Sequence, residues 1–331
     1  MTKRYDCVGI GNAIVDVLAR VDDDFLRANA VEKGVMTLID TARATALYDT
    51  MGPAREVSGG SAANTIAGLG MLGARAAYAG KVRDDQLGRI FAHDIRALGV
   101  DYETPMAPAD GGEEETGRCL VLVTPDGERS MSTYLGVSAH LAPSDIDADV
   151  IADTAWLFLE GYRFDGPDSQ QAMRDAIAAC KGAGGRIALT LSDPFCVERH
   201  FDAFRAMVRD DVDLLCANEA EMRALYRTDD LDRAMDQASG EVAQVACTVG
   251  PDGAWMLEGG EKSQVPAAPG ERVDATGAGD LFAAGLLAGL ARGRDLVTAG
   301  RMGCVAAAEI IGHIGARPEQ DLGALMREAG L

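Results

Sequence analysis

At 331 residues, 47% hydrophobic and 25% charged, the chain can bury a sizeable core as one large domain or one domain with an appendage. Its 52 acidic residues against 31 basic ones leave a net charge of −21, which argues against a nucleic-acid surface and an anionic membrane; a small anionic ligand would need local positive features. Seven scattered cysteines without a C-x-x-C argue against a disulfide framework and a thiol metal site; with no signal-peptide core near Met1 and no apolar run near the ~18 residues of a membrane span, a cytoplasmic setting is expected.

A first strand is predicted over residues 6–10, ending in Gly9-Ile10-Gly11-Asn12. The glycines begin like a dinucleotide fingerprint. Ile14 stands where close helix packing needs Gly or Ala, however, and no clear helix follows, which disfavours a hydride-transfer enzyme. Asn12 and Asp16 are polar residues beside this turn. They either cap local structure or, as site residues, meet substrate hydroxyls. Strand-like segments follow over 15–21 and 35–39. Gly59-Gly60-Ser61-Ala62-Ala63-Asn64 is a second glycine turn, entering a small-residue helix over 62–72. Ser61 reads as its N-cap, and Asn64 lies one turn in, where an amide can meet a ligand hydroxyl. Ala63 replaces the last glycine of G-x-S-x-G, and no histidine is placed for a triad. A strand over 76–80 and a helix over 86–98 come next.

Strands over 116–123 and 129–135 flank the turn Pro125-Asp126-Gly127-Glu128 and make a hairpin between helical segments. Met131, Thr133 and Leu135 alternate along its second strand and so share one side. Strand and helix signals then alternate through 154–160, 169–181, 186–191, 201–208, 214–217, 219–226 and 242–249. Repeated β-then-α predicts an α/β fold, a doubly wound and mainly parallel sheet covered by helices. The large body is expected to take residues 1–13, 39–102 and 137–331, and a small β lid residues 14–38 and 103–136. Ligands should collect beyond the carboxyl ends of the strands, under the lid. Asn218 and Glu221 have the spacing of a helix capping box, or of a pair holding water on a hard divalent cation. Thr248 and Gly250 follow another strand and could approach a nucleotide phosphate or ribose; no Walker A sequence is present.

The most informative stretch is Asp274-Ala275-Thr276-Gly277-Ala278-Gly279-Asp280, directly before an apolar helical run over 281–291. Small residues at a helix N-terminus leave unpaired backbone N–H groups at the positive end of the dipole, which is an anion site. A carboxylate there repels phosphate. Asp280 makes sense as the base that takes a proton from the group attacking the phosphate.

Gly59-Gly60-Ser61-x-x-Asn64, Asn218-x-x-Glu221 and Asp274-x-x-Gly277-Ala278-Gly279-Asp280, in this order across nearly the full chain, resemble the ribokinase-like (PfkB) family of carbohydrate and nucleoside kinases. Thr116-Gly117-Arg118-Cys119, Leu191-Ser192-Asp193-Pro194-Phe195 and Ile310-Ile311-Gly312-His313-Ile314-Gly315-Ala316 look like its adenosine kinase branch, although Asp193 departs from the small residue expected there. The resemblance implies phosphoryl transfer from ATP to a primary hydroxyl. Asp280 would be the base, and the N–H groups of Ala278, Gly279 and Asp280, shaped by Gly277, would hold the transferring phosphoryl group. Asp16, Gly60, Ser61 and Asn64, with Asn12 beside them, would hold ribose hydroxyls. Met131, Thr133 and Leu135 would cover the acceptor base. Arg129 would swing over the phosphates, while Asn218, Thr248 and Gly250 would approach the nucleotide. Asn218 and Glu221 would organise Mg²⁺ through water, and carbonyls around Asp274 and Thr276, with the segment near Gly315, would hold a monovalent cation such as K⁺. Adenosine is favoured over ribose, fructose and 2-keto-3-deoxygluconate. A catalytically silent binding module is the alternative from another class, and the chain could be a monomer or a homodimer.

Overall fold

The apolar runs of the sequence pair into two sheets. A computed structural model describes residues 3–110, 112 and 114–331. Its strands, in chain order, are β1 (Tyr5–Ile10), β2 (Ile14–Arg20), β3 (Met36–Leu38), β4 (Arg55–Gly59), β5 (Ala76–Ala79), β6 (Val100–Asp101), β7 (Thr116–Val123), β8 (Arg129–Gly136), β9 (Thr154–Glu160), β10 (Arg186–Thr190), β11 (Leu214–Asn218), β12 (Gln244–Thr248), β13 (Ala254–Glu258) and β14 (Glu261–Val265). The α-helices are α1 (Asp23–Ala28), α2 (Thr41–Thr50), α3 (Ser61–Met71), α4 (Gln86–Ala97), α5 (Ala148–Ala152), α6 (Pro167–Gly182), α7 (Pro194–Arg199), α8 (Phe201–Asp210), α9 (Glu219–Tyr226), α10 (Leu231–Ser239), α11 (Ala278–Ala291), α12 (Leu296–Ile310) and α13 (Leu322–Glu328).

The large sheet runs β14-β13-β12-β11-β10-β9-β1-β5-β6, parallel except where β13 and β14 add an antiparallel edge. Both faces of its central strands are buried, so those strands are almost wholly apolar, whereas the edge strand β14 is mostly polar. On β9, Trp156 and Phe158 point to one layer, with Leu281 and Leu286 of α11, while Leu157 and Leu159 point to the other, with Met173 of α6 and Phe204 of α8. The doubly wound, mainly parallel α/β architecture predicted from β-then-α alternation is the one observed.

The smaller sheet runs β3-β8-β7-β2-β4. Its outer face carries Val17, Ala19, Leu120 and Leu122, covered by Leu26 of α1 and Leu47 of α2. Its inner face carries Ile14, Leu18, Cys119, Val121 and Met131. This body is larger than the expected lid. β4 pairs antiparallel with β2 and so belongs to this sheet, although residues 39–102 were assigned to the large body. The reason is non-local: Ile14 pairs with Gly59, and a local pattern carries no information about that partner. The helices α1 and α2 were not foreseen either; they close the outer face that a bare hairpin would leave exposed.

Candidate active site

The turns after β1 and β4 press against each other. Gly60 has φ +100°, and a Cβ there would meet the Asn12 carbonyl oxygen at 2.1 Å, so glycine is required. Gly60 occupies the N-cap position of α3 that Ser61 was expected to take. Ser61 is released for another partner: its Oγ donates to Asp280 Oδ1 at 2.6 Å. One turn on, Asn64 Nδ2 donates to Asp280 Oδ2 at 2.8 Å, and Thr65 Oγ1 donates to the Asp280 carbonyl at 3.1 Å.

Asp280 lies in the first turn of α11. Gly277 is the N-cap at φ +76°, where a Cβ would sit 3.0 Å from Ala316 Cβ. Among the described residues no protein acceptor takes the N–H groups of Gly279 and Asp280. The Ala278 N–H donates to Ala275 O at 3.3 Å, so the expected trio of free donors is reduced to two.

Two cavities meet at Asp280. One, of about 280 Å³, is lined by Asn12, Asp16, Gly60, Ser61 and Asn64 on one side and by Met131, Thr133 and Leu135 on the other, with Ile14, Met36, Leu38 and Val121 completing an apolar cover. Thr276 also reaches it. The other, of about 790 Å³, is lined by Asn218, Glu221, Thr248, Gly250, Ala278 and Gly279. Ser61, Ser192 and Asp280 line both. A further cavity of about 540 Å³ shares Thr248, Gly250, Ala278, Gly279 and Phe282 with the second and extends it between small residues, including Ala268, Ala307 and Ala308.

Charge is concentrated at the junction. Burial raises the Asp280 carboxyl above the ordinary range, while hydrogen bonds from Ser61 and Asn64 and the Arg317 charge pull it back. Burial pushes Asp16 up to about 7; Arg317 and Arg129 oppose the rise and Asp280 adds to it. Glu160, at the end of β9, is pushed up to about 7 by burial against the Ala62 and Asn12 N–H bonds and the Arg163 charge. Its Oε2 accepts from Ala62 N at 2.9 Å and its Oε1 from Asn12 Nδ2 at 2.8 Å, so one carboxylate sets both glycine turns. Asn12 Oδ1 in turn accepts from Ser138 Oγ at 3.0 Å and Arg163 Nη1 at 2.6 Å. The Asn12 amide is thus largely occupied by protein, with one Nδ2 hydrogen left for a ligand.

Asn218 and Glu221 form the capping box. Asn218 Oδ1 accepts from Glu221 N at 2.9 Å, Glu221 Oε2 accepts from Asn218 N at 2.9 Å, and Asn218 Nδ2 donates to Oε1 at 2.7 Å. Each Glu221 oxygen keeps a lone pair on the wall of the second cavity, and burial pushes this carboxyl up to about 7. Water-mediated contact with Mg²⁺ fits this donor set. A cage of protein ligands does not, since the described residues hold no cluster of three or more metal-ligating His, Cys, Asp or Glu side chains.

One expected placement differs in this structure. Arg129 lines neither main cavity. Its buried guanidinium pairs with Asp274, beside a separate recess lined by Arg20, Val123 and Ile314, so in this structure it ties β8 to the loop before α11 instead of covering phosphates. Asp274 is correspondingly engaged: Oδ1 accepts from Thr276 N at 2.8 Å and Oδ2 from Gly315 N at 2.9 Å, besides the Arg129 pair. Its carboxylate is therefore taken up by protein partners, and the expected cation site rests on the backbone carbonyls around Asp274 and Thr276.

Three residues at the junction lay outside the candidate set. Glu160 had a visible signal, an acid closing the apolar strand Thr154–Glu160. Ser192 sits at φ +71°, a strained position for a residue with a Cβ, in the Leu191–Phe195 segment. Arg317 had no local signal: it donates from Nη1 to Asn64 Oδ1 at 2.6 Å across 253 residues of chain.

The family model described as pfkB family carbohydrate kinase matches residues 38–321. Among solved structures, the chain is similar to "probable sugar kinase protein" from Rhizobium etli CFN 42, with 45% identity, 99% of each chain covered and a TM-score of 0.94. It is similar to the same degree to adenosine kinase from Sinorhizobium meliloti, with 47% identity, 98% of this chain and 99% of that one covered and a TM-score of 0.93. Among curated proteins, it is 29% identical to guanosine-inosine kinase from Escherichia coli (strain K12) over 276 residues, a match covering 80% of this chain but only 63% of that protein.

Proposed function

The chain belongs to the pfkB family of carbohydrate kinases, and from that premise we propose that it transfers the γ-phosphoryl group of ATP to a primary hydroxyl of a nucleoside, adenosine foremost. The observation that carries this reading is the junction: Asp280, Ser61 and Ser192 line both cavities, and between them the N–H groups of Gly279 and Asp280 have no protein acceptor among the described residues. The larger cavity and its extension suit ATP. The smaller suits an alcohol with a polar end and an apolar end.

In this reading the acceptor hydroxyl sits against Asp280, which takes its proton as the oxygen attacks the γ-phosphorus and the bond from the γ-phosphorus to its bridging oxygen to ADP breaks. Gly279 and Asp280 N–H groups hold the charge on the transferring oxygens. Asp16 and Asn64 hold ribose hydroxyls. Mg²⁺, when bound through water near Glu221 and Asn218, would neutralise phosphate charge. K⁺, if required, would be held by backbone carbonyls around Asp274 and Thr276, with the segment near Gly315.

A nucleoside is favoured over a free sugar by the cover of the smaller cavity. Ile14, Met36, Leu38, Val121, Met131 and Leu135 present apolar surface that a flat base would fill and a free hexose or pentose would not. Similarity to a sugar kinase almost as high as to an adenosine kinase keeps ribose, fructose and 2-keto-3-deoxygluconate as the second reading. The outer face of the smaller sheet is closed by its own α1 and α2, which supports a monomer. ADP release measured over a panel of nucleosides and sugars tests all of this. The highest kcat/KM should fall to adenosine; a sugar ahead of every nucleoside overturns the acceptor, and no ATP consumption with any acceptor overturns the kinase.

A further inference from the structure

The loop after α12 carries a guanidinium to the back of the junction. Arg317 Nη1 donates to Asn64 Oδ1 at 2.6 Å, and Nη2 and Nε reach Ser58 Oγ on β4 at 3.2 and 3.4 Å. Asn64 Nδ2 in turn donates to Asp280 Oδ2 at 2.8 Å. An amide flipped about its axis would set its NH₂ against the guanidinium and its oxygen against the carboxylate, losing both bonds. Arg317 thereby dictates which end of Asn64 faces Asp280.

We propose that Arg317 is a positioning residue for phosphoryl transfer: it fixes the Asn64 amide as a donor to the Asp280 base and so favours the ionised carboxylate in the acceptor cavity. This rests on the kinase reading and deepens it. The charged and titratable neighbours of the junction are Asp16 on β2, Arg129 on β8, Glu160 and Tyr162 at the end of β9, and Glu221 on α9, with Tyr78 on β5 and Asp94 on α4 beside Arg317. Arg317 also acts on Asp280, and Asp16, Asp280, Tyr78 and Asp94 act back on it, so its guanidinium stays charged although burial brings it down to about 10. A base that must be ionised, placed in a buried cavity beside a second carboxylate, needs such a partner.

The test is the pH dependence of kcat in the full-length protein with its best acceptor. In Arg317→Met the acid limb should move to higher pH by about one unit or more, because protonated Asp280 persists further, with kcat at neutral pH down roughly 10- to 100-fold and the ATP KM retained. A merely structural role would lower activity at every pH or lower Tm without moving the limb. Arg317→Lys keeps the charge and loses the fork, so its limb should stay near wild type while kcat falls. An unmoved limb in Arg317→Met overturns the proposal. If that variant does not fold, as judged by circular dichroism, Arg317→Lys decides, and unchanged kcat there overturns it. Inactivity of the wild type toward every acceptor would instead remove the kinase reading itself.

Discussion

Asp280 accepts hydrogen bonds on both carboxylate oxygens, from Ser61 and Asn64, and both donors come from the first turn of α3. Its orientation is therefore fixed before a substrate arrives. An amide in its place keeps size and polarity but cannot accept a proton. Asp280→Asn should lower kcat by roughly 10²- to 10⁴-fold while ATP still binds, as measured by calorimetry; near-normal turnover would reject the base. Asp280, Ser61 and Asn64 were legible as candidates in the sequence because positions where glycine alone fits mark the turns that hold them. Arg317 was not legible. A cation that serves a site from the far end of the chain leaves no spacing to read, and Glu160 was visible only as an acid out of place on an apolar strand.

Between elements, the decisive contact is the tie from β8 to the loop before α11. Arg129 and Asp274 are both buried side chains on the wall of one recess. Removing one partner of such a pair strands the other. Arg129→Met should therefore cost roughly 1–3 kcal/mol of stability in a denaturant titration, and Arg129→Met with Asp274→Asn less. Equal losses in single and double variants would mean the pair is not coupled. The same scale explains what pattern reading passed over. The helix α12 is lined with Gly300, Gly303, Ala306 and Ala307 and packs against the equally small-residue α11, so it has no strong polar face to betray it. The strand β4 is short, and its membership of the smaller sheet depends on a partner about 40 residues upstream. By contrast the β-then-α rhythm from β9 to β12 is local, and it is the part of the fold the sequence makes plainest.

Across the molecule, Asp16, Glu160 and Glu221 are each pushed to about 7 by burial, and Asp280 is raised as well. The folded chain thus holds protons that the unfolded chain has already released above the ordinary carboxylate range. Stability from these groups is full at low pH and lost as pH climbs through about 7. Carboxylates shifted the other way, such as Asp6, Asp210 and Glu241, act only in the acid range below their ordinary values. Tm of the ligand-free protein should therefore fall between about pH 5 and pH 8, with a shallower slope in Asp16→Ala; a flat or rising Tm would contradict the buried-carboxylate account. A last consequence follows from how the two cavities are shared. The smaller sheet supplies Asp16, Met131, Thr133 and Leu135 to the acceptor cavity and nothing to the nucleotide cavity, which the large body lines alone. On the proposed reading an alcohol therefore touches two bodies, whereas ATP touches only one. ATP should then bind with no alcohol present, and calorimetry on the ligand-free protein should find its affinity little changed when an alcohol is added.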